Sequence, residues 1–101
     1  MFYNVLEAKD IVELGEQKYK KLILLEKENS CLDIIAIKKD EIIDTHTAKA
    51  ETALYMLEGE IEIHFDAEKF TLKKGEILMF KKDDQHKVLS KKDSKFFLFK
   101  L

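Results

Sequence analysis

Short apolar runs, separated by charged clusters at intervals of roughly eight to twelve residues, are the feature that most limits what this chain can fold into. The runs predict β-strands at residues 19–26, 31–38, 52–58, 60–66, 69–72, 77–80, 87–90 and 95–101. Many short strands at this spacing favour an all-β sandwich or barrel over a fold that alternates strands with helices. Only residues 6–14 show helical spacing, and we expect one or two helical turns there, against one end of the barrel.

Length and charge exclude several classes of protein. With 101 residues, we expect a single domain over residues 1–101, and its 46% hydrophobic content is enough to fill a core. The 18 basic residues are balanced by 20 acidic residues, so the chain has no strong basic field. All 18 are Lys, and the chain therefore has no guanidinium group to read the edges of bases. We expect no nucleic-acid partner. No apolar run approaches the ~20 residues of a membrane span, and no signal-peptide pattern is present. We therefore expect a cytoplasmic protein without a membrane partner.

Three strands differ in how their apolar residues are arranged. Residues 60–66 alternate strictly between apolar and polar, which predicts a half-buried strand whose outer face carries His64 among carboxylates. Residues 52–57 and 31–37 are instead apolar on both faces, and the single cysteine, Cys31, begins the second of these as a small core residue. In a small barrel, a strand covered on both sides indicates a second sheet or a partner subunit, so we predict a homodimer.

Two segments resemble the sequence motifs of a known superfamily. Tyr55-Met56-Leu57-Glu58-Gly59-Glu60 is similar to the end of the first cupin motif, and Gly75-Glu76-Ile77-Leu78-Met79-Phe80 is similar to the start of the second. The resemblance covers roughly residues 32–88. It implies a double-stranded β-helix, that is, a jelly-roll or cupin barrel, here with a short N-terminal helical turn.

The resemblance also implies positions for metal ligands, which in metal-binding cupins are three His and one Glu. Counting from Gly59, His46 falls on the first His, whereas Ala48 and Thr52 fall on the second His and the Glu. In the second motif His86 falls on the His. In the same alignment Asp40 and Asp83 stand where the family has Gly, and Lys81 stands where it has Pro.

Half of the implied ligand set is therefore missing. His46 and His86 alone bring no negative charge, so we expect at most a weakly held divalent transition metal such as Zn, Ni, Fe or Mn. Glu51 carries the missing charge and is a possible third ligand, provided that a β-bulge turns it inward beside Thr52.

The same alternation predicts the lining of a pocket. If Thr52 points into the barrel, so do Leu54 and Met56, and Val88 joins them from the strand that carries His86. Such an apolar cup fits a small, mostly apolar or aromatic molecule. No Arg and no inward Lys is evident, so we expect no clamp for a carboxylate or a phosphate.

Three functions remain open from the sequence. The first is a small cupin barrel of unassigned activity that binds a small molecule, a weakly held metal, or both. The second is a metal-dependent cupin enzyme of dioxygenase or isomerase type, with Glu51 as the third ligand. The third is a non-catalytic structural or regulatory dimeric β-domain. The fold alone does not choose between them.

Overall fold

The computed structural model of the chain describes residues 3–101, apart from the side chains of residues 45–47. Over these residues it contains one 3₁₀ turn, Ala8–Asp10, and nine β-strands. The strands are β1 (Tyr19–Lys27), β2 (Ser30–Ile37), β3 (Ile42–Thr47), β4 (Thr52–Glu58), β5 (Glu60–His64), β6 (Lys69–Lys73), β7 (Ile77–Phe80), β8 (Gln85–Ser90) and β9 (Ser94–Lys100). All eight predicted strands are present, with ends shifted by two residues at most.

The strands form two antiparallel sheets that face each other. The five-stranded sheet has the order β1-β2-β9-β4-β7, and the four-stranded sheet has the order β3-β8-β5-β6. The predicted all-β fold with a jelly-roll barrel is confirmed.

Strand β3 is the one element that the sequence pattern did not predict. Its six residues, Ile-Ile-Asp-Thr-His-Thr, carry two adjacent apolar residues and no alternation. The register with β8 is irregular between Ile43 and His46, so the two-residue period on which strand prediction depends is interrupted.

The core lies between the two sheets. Alternate residues of β2, β4 and β9 point inward, so that Ile35, Met56 and Phe96 pack against Ile61 and Ile63 of the opposite sheet. The strand β5 is buried at Ile61 and Ile63 and partly exposed at the residues between them, as its alternation predicted.

The N-terminal segment covers the part of the outer face of the five-stranded sheet that β2 forms. Its regular helix is limited to Ala8–Asp10, shorter than the predicted one or two turns, and Val12 then packs on Ile34 and Ala36 of β2. The chain itself therefore covers the second apolar face of β2. This part of the sequence argument for a partner subunit was wrong, because it did not foresee that the N-terminal segment returns to this sheet.

In the part of the chain that the structure describes, four residues adopt left-handed backbone conformations. They include Gly59 and Gly75, with φ of 92° and 86°. They also include Asp40 and Asp83, with φ of 69° and 76°, at two positions where the resemblance places Gly. The alignment thus located turns that need positive φ even where the glycine itself is absent. In residues 3–101 no helix is long and apolar enough to cross a membrane.

Candidate binding site in the barrel

An apolar cavity of about 150 Å³ lies between the two sheets. We call it the inner cavity. Among the residues whose side chains are described, eight apolar ones line it: Ile35, Ile43, Leu54, Ile63, Phe80, Val88, Phe96 and Leu98. Four described polar side chains also line it: Tyr19, Lys21, His86 and Lys100. A second cavity of about 280 Å³, the adjoining cavity, shares Phe80, His86, Leu98 and Lys100 with it and is further lined by residues 48–50 and Thr52.

Of the four predicted pocket residues, three line these cavities. Leu54 and Val88 line the inner cavity, and Thr52 lines the adjoining one. Thr52 is buried and donates a hydrogen bond from Oγ1 to the carbonyl oxygen of Ala50, at 3.0 Å. Met56 points inward as well, but it is fully buried in the core and lines neither cavity.

His86 and Lys100 are the polar side chains that both cavities share among the described residues, and His86 is the buried one. Its side chain is buried, and its ring packs against Phe80 and Phe65 with centroid separations of 4.8 and 6.0 Å. Its Nδ1 lies 3.2 Å from the carbonyl oxygen of Asp84. Because a carbonyl oxygen only accepts, Nδ1 carries the proton in this contact, and in the neutral ring Nε2 then holds the lone pair. That tautomer suits an imidazole that accepts a hydrogen bond or binds a metal through Nε2.

The second predicted metal ligand, His46, lies outside the residues whose side chains are described. The backbone places it directly opposite His86 in the β3–β8 pair. Directly opposite residues of an antiparallel pair have Cα atoms roughly 4.5–5.5 Å apart. The two positions that the motifs assigned to histidine ligands are therefore neighbours across two strands, although they are 40 residues apart in sequence.

The proposed third ligand, Glu51, lies on a different side of the sheet. It is exposed, and with Met79, Phe99 and Leu101 it lines a separate groove of about 360 Å³. Glu51 lines neither the inner nor the adjoining cavity. Among the described residues, no three His, Cys, Asp or Glu side chains are grouped closely enough to hold a metal ion. The described donors therefore do not make a complete metal site.

A charged cluster that the sequence analysis missed borders the inner cavity. Asp33 is fully buried, and its Oδ2 lies 3.1 Å from the Nζ of Lys100 and 3.7 Å from the Nζ of Lys21. Both lysines line the inner cavity, so the expectation that no Lys points inward was wrong. The sequence did contain a signal for this cluster. Asp33 lies two residues before Ile35 in β2, and Lys100 lies two residues after Leu98 in β9, so each charged residue shares a face of its strand with an inward apolar residue.

Cys31 lies beside this cluster. Directly opposite Lys100 in the β2–β9 pair, it is half-buried rather than a core residue. Burial raises the pKa of the Cys31 thiol, and the negative charge of Asp33 raises it further. The thiol is therefore the favoured form, which makes Cys31 a weak nucleophile.

His64, which the sequence predicts on the outer face of its strand, lies on the outer side of the four-stranded sheet. Its Nε2 is 3.1 Å from Oε1 of Glu62, whose Oε2 also pairs with Lys91 at 3.4 Å. The hydrogen bond from His64 lowers the pKa of Glu62, and Lys91 lowers it further. His64 lines neither of the two barrel cavities, in agreement with its predicted place among surface carboxylates.

Fold and cavity together define a small jelly-roll barrel protein with a mainly apolar internal cavity. Residues 34–99 match the family described as Cupin domain, which is more than half of the chain. The protein thus belongs to the cupin family, as its two motifs indicated.

Solved structures support the same fold. A conserved protein of unknown function from Streptococcus pyogenes superposes with a TM-score of 0.90 at 16% identity, over 100% of this chain and 89% of that one. A cupin superfamily protein from Desulfitobacterium hafniense also gives 0.90, at 20% identity, over 97% and 90% of the two chains. A cupin 2 conserved barrel domain protein from Leptotrichia buccalis gives 0.85 at 28% identity, over 92% of this chain but 45% of that one. No functionally curated protein matches the sequence significantly.

Proposed function

We propose that the barrel binds a small, largely apolar molecule in the inner cavity. The observation that carries this proposal is the cavity itself: about 150 Å³, lined by eight apolar side chains and by the buried His86. An apolar cavity of roughly this volume is large enough for a benzene-sized ring. A small number of polar groups at the wall, His86 among them, is what small-molecule sites use to fix the orientation of a ligand.

Neutral ring compounds are suitable probes of the proposed site. We expect benzyl alcohol and benzamide to shift the amide resonances of Leu54 and Val88 in a ¹H–¹⁵N NMR titration, because both residues line the inner cavity. Val88→Phe fills the cavity from its wall and should abolish these shifts. Ile77→Phe makes the same kind of addition at an exposed residue of β7 and should leave binding unchanged. If no neutral probe causes saturable shifts of these amide resonances in the folded wild-type protein, the proposal is rejected.

A weak metal site is the second candidate function. It is supported by the backbone register, which sets His46 directly opposite His86, and by the tautomer that the Asp84 carbonyl favours in His86. Two histidines could hold Zn²⁺, Ni²⁺, Fe²⁺ or Mn²⁺ only with water in most of the coordination sphere, so the affinity would be low. When bound, such an ion would supply a Lewis acid to the adjoining cavity.

Metal content after purification without a chelator or a His-tag tests this second candidate. We expect Zn²⁺ or Ni²⁺ to bind weakly on soaking and to be lost in His86→Ala, as measured by inductively coupled plasma mass spectrometry. Glu51→Gln separates the two metal hypotheses. It should leave a two-histidine site unchanged, whereas it would weaken metal binding strongly in the enzyme alternative that uses Glu51 as a ligand. Metal content at background after soaking would rule out both.

We predict that the homodimer forms through one apolar surface of the five-stranded sheet. Apolar side chains of β4, β7 and β9 are exposed on the outer side of the five-stranded sheet: Tyr55, Ile77, Met79 and Phe99. This is the face that a dimer would bury, and its most exposed member is Met79. Met79→Lys should therefore convert a dimer to a monomer in sedimentation equilibrium. If the protein instead has a structural or regulatory role that acts through this surface, replacement of both His46 and His86 should leave the phenotype unchanged.

A further inference from the structure

We infer that the cluster of Lys21, Asp33 and Lys100 is a recognition site for the carboxylate of a small monocarboxylate whose apolar body occupies the inner cavity. This inference rests on the proposed function and adds the chemical class of the ligand. It follows from three properties of the cluster: its net charge, its position on the cavity wall and the hydrogen-bond donors that it leaves available.

The charge of the cluster is unbalanced. Both lysine ammonium groups approach the same carboxylate oxygen, Oδ2 of Asp33, at 3.1 and 3.7 Å. Two cations against one buried anion leave one positive charge. Asp33 thus draws both lysines to one place without neutralising them, and the remaining charge matches one ligand carboxylate better than a phosphate dianion.

The positions of the two lysines direct this charge into the barrel. Lys21 and Lys100 both line the inner cavity, and Lys100 lines the adjoining cavity as well. Among the described residues that line the two cavities none is acidic, and Asp33 itself forms no part of either wall. A further lysine, Lys49, lines the adjoining cavity. An anion entering these cavities therefore meets positive charge and no acidic side chain in the described walls.

The lysines also keep donors for a ligand. Each ammonium group has three N–H donors, and the contact with Asp33 engages one at most. Their side chains are 43% and 32% exposed, so each ammonium group has donors that can reach a bound anion while it stays beside Asp33. The eight apolar residues of the inner cavity then contact the rest of the molecule. A ring or a short branched chain that bears one carboxylate fits both parts of the site.

Benzoate and benzamide form a matched pair of probes, because they have nearly the same shape and differ in charge. By NMR titration we expect benzoate to bind roughly tenfold more tightly than benzamide, and this ratio should fall as salt is added. Lys21→Gln and Lys100→Gln should each reduce the ratio to near one, because loss of an ammonium group weakens the binding of the charged probe more than that of the neutral one. The control Lys74→Gln removes the same charge from an exposed turn residue that lines neither cavity. It should keep the ratio.

Asp33→Asn tests the charge effect with a change of the opposite sign, because it makes the cluster more positive, whereas the lysine variants make it less positive. It removes the buried negative charge with little change in shape, so benzoate should bind several-fold more tightly than in the wild type. Equal binding of benzoate and benzamide to the wild type, or an unchanged ratio in both lysine variants, would overturn the inference while leaving the proposed function intact. If neither probe binds, the proposed function itself fails.

Discussion

The hydroxyl group of Ser94 occupies the space into which a side chain at Gly59 would extend. A Cβ on Gly59 would overlap Oγ of Ser94 and would lie 2.6 Å from both the carbonyl oxygen of Asp93 and the Cα of Ser94. Ser94 is held in place because its Oγ accepts a hydrogen bond from the amide of Glu60 at 3.0 Å. The β4–β5 turn and the start of β9 can therefore pack this closely because Gly59 has no side chain.

Gly59→Ala should therefore be among the most damaging small substitutions in the chain. It combines a left-handed φ of 92° with overlap against backbone atoms, and we expect a loss of about 3 kcal/mol in unfolding free energy. Gly75→Ala is the matched control, since φ is 86° there but no atom lies within 4 Å of the added Cβ. It should cost about 1 kcal/mol. Urea denaturation measures both, and equal losses would show that the contact with β9 is unimportant.

Asp83 provides a test of the left-handed position that the second motif normally fills with Gly. Asp83→Ala should lose about 1 kcal/mol, because Ala has no polar side chain to support a φ of 76°. Asp83→Gly should change stability by less than about 0.5 kcal/mol, since relief of strain offsets the added entropy of the unfolded chain. The backbone hydrogen bond from the Asp83 amide to Ala48 is retained in both variants. Thermal unfolding should rank Gly above Ala, and the opposite order would contradict the role of φ.

Removal of both lysines beside Asp33 should destabilise the fold more than removal of Asp33 itself. The Lys21→Gln/Lys100→Gln double variant leaves a fully buried carboxylate without a cation, and we expect a loss of about 3 kcal/mol. In Asp33→Asn the two lysines remain partly exposed and reach water, so the change should be within about 1 kcal/mol. Urea denaturation at neutral pH compares them. Similar losses in both would mean that burial of the carboxylate is not the controlling factor.

The pair of His64 and Glu62 predicts a specific response to pH. The hydrogen bond from His64 lowers the pKa of Glu62, so His64→Ala should raise that pKa towards its ordinary value, and Lys91→Ala should raise it less. A pKa that is lower in the folded state stabilises the protein at pH values above the ordinary glutamate pKa. This contribution is lost as the pH falls through the folded value. Wild type and His64→Ala should thus converge in stability in acid, and ¹³C NMR titration of the carboxyl group measures the pKa directly.

The fold was predictable because most strands carry their own pattern. The alternation of β5 and the turn residues around Gly59 and Gly75 are local signals, and they located eight strands and the register of both motifs. Strand β3 was missed because the irregular pairing near His46 interrupts its alternation. The position of the N-terminal segment on β2 depends on contacts between residues distant in sequence, such as Val12 with Ile34, which no local pattern reports.

The candidate site was predictable only in part. The alternation placed Leu54, Val88 and Thr52 on the inner side of the sheets, and the motif spacing brought positions 46 and 86 opposite each other. The charged cluster was missed because neither strand shows which of its faces points inward. Lys21 has charged neighbours in β1, and Asp33 lies in β2 between apolar residues on both faces. Which face of such a strand points inward is decided by the sheet order, since β9 carries Lys100 to a place between β2 and β4.

The central position of β9 has a consequence for synthesis on the ribosome. This strand is the last of the nine in chain order, yet it pairs with β2 on one side and with β4 on the other. During translation, β2 and β4 therefore remain without their common neighbour until the eight other described strands have been made. Because such long-range pairing slows folding, the emerging chain exposes unpaired strand edges until β9 is available. A cellular chaperone that shields apolar β-strands would have its main effect in this interval.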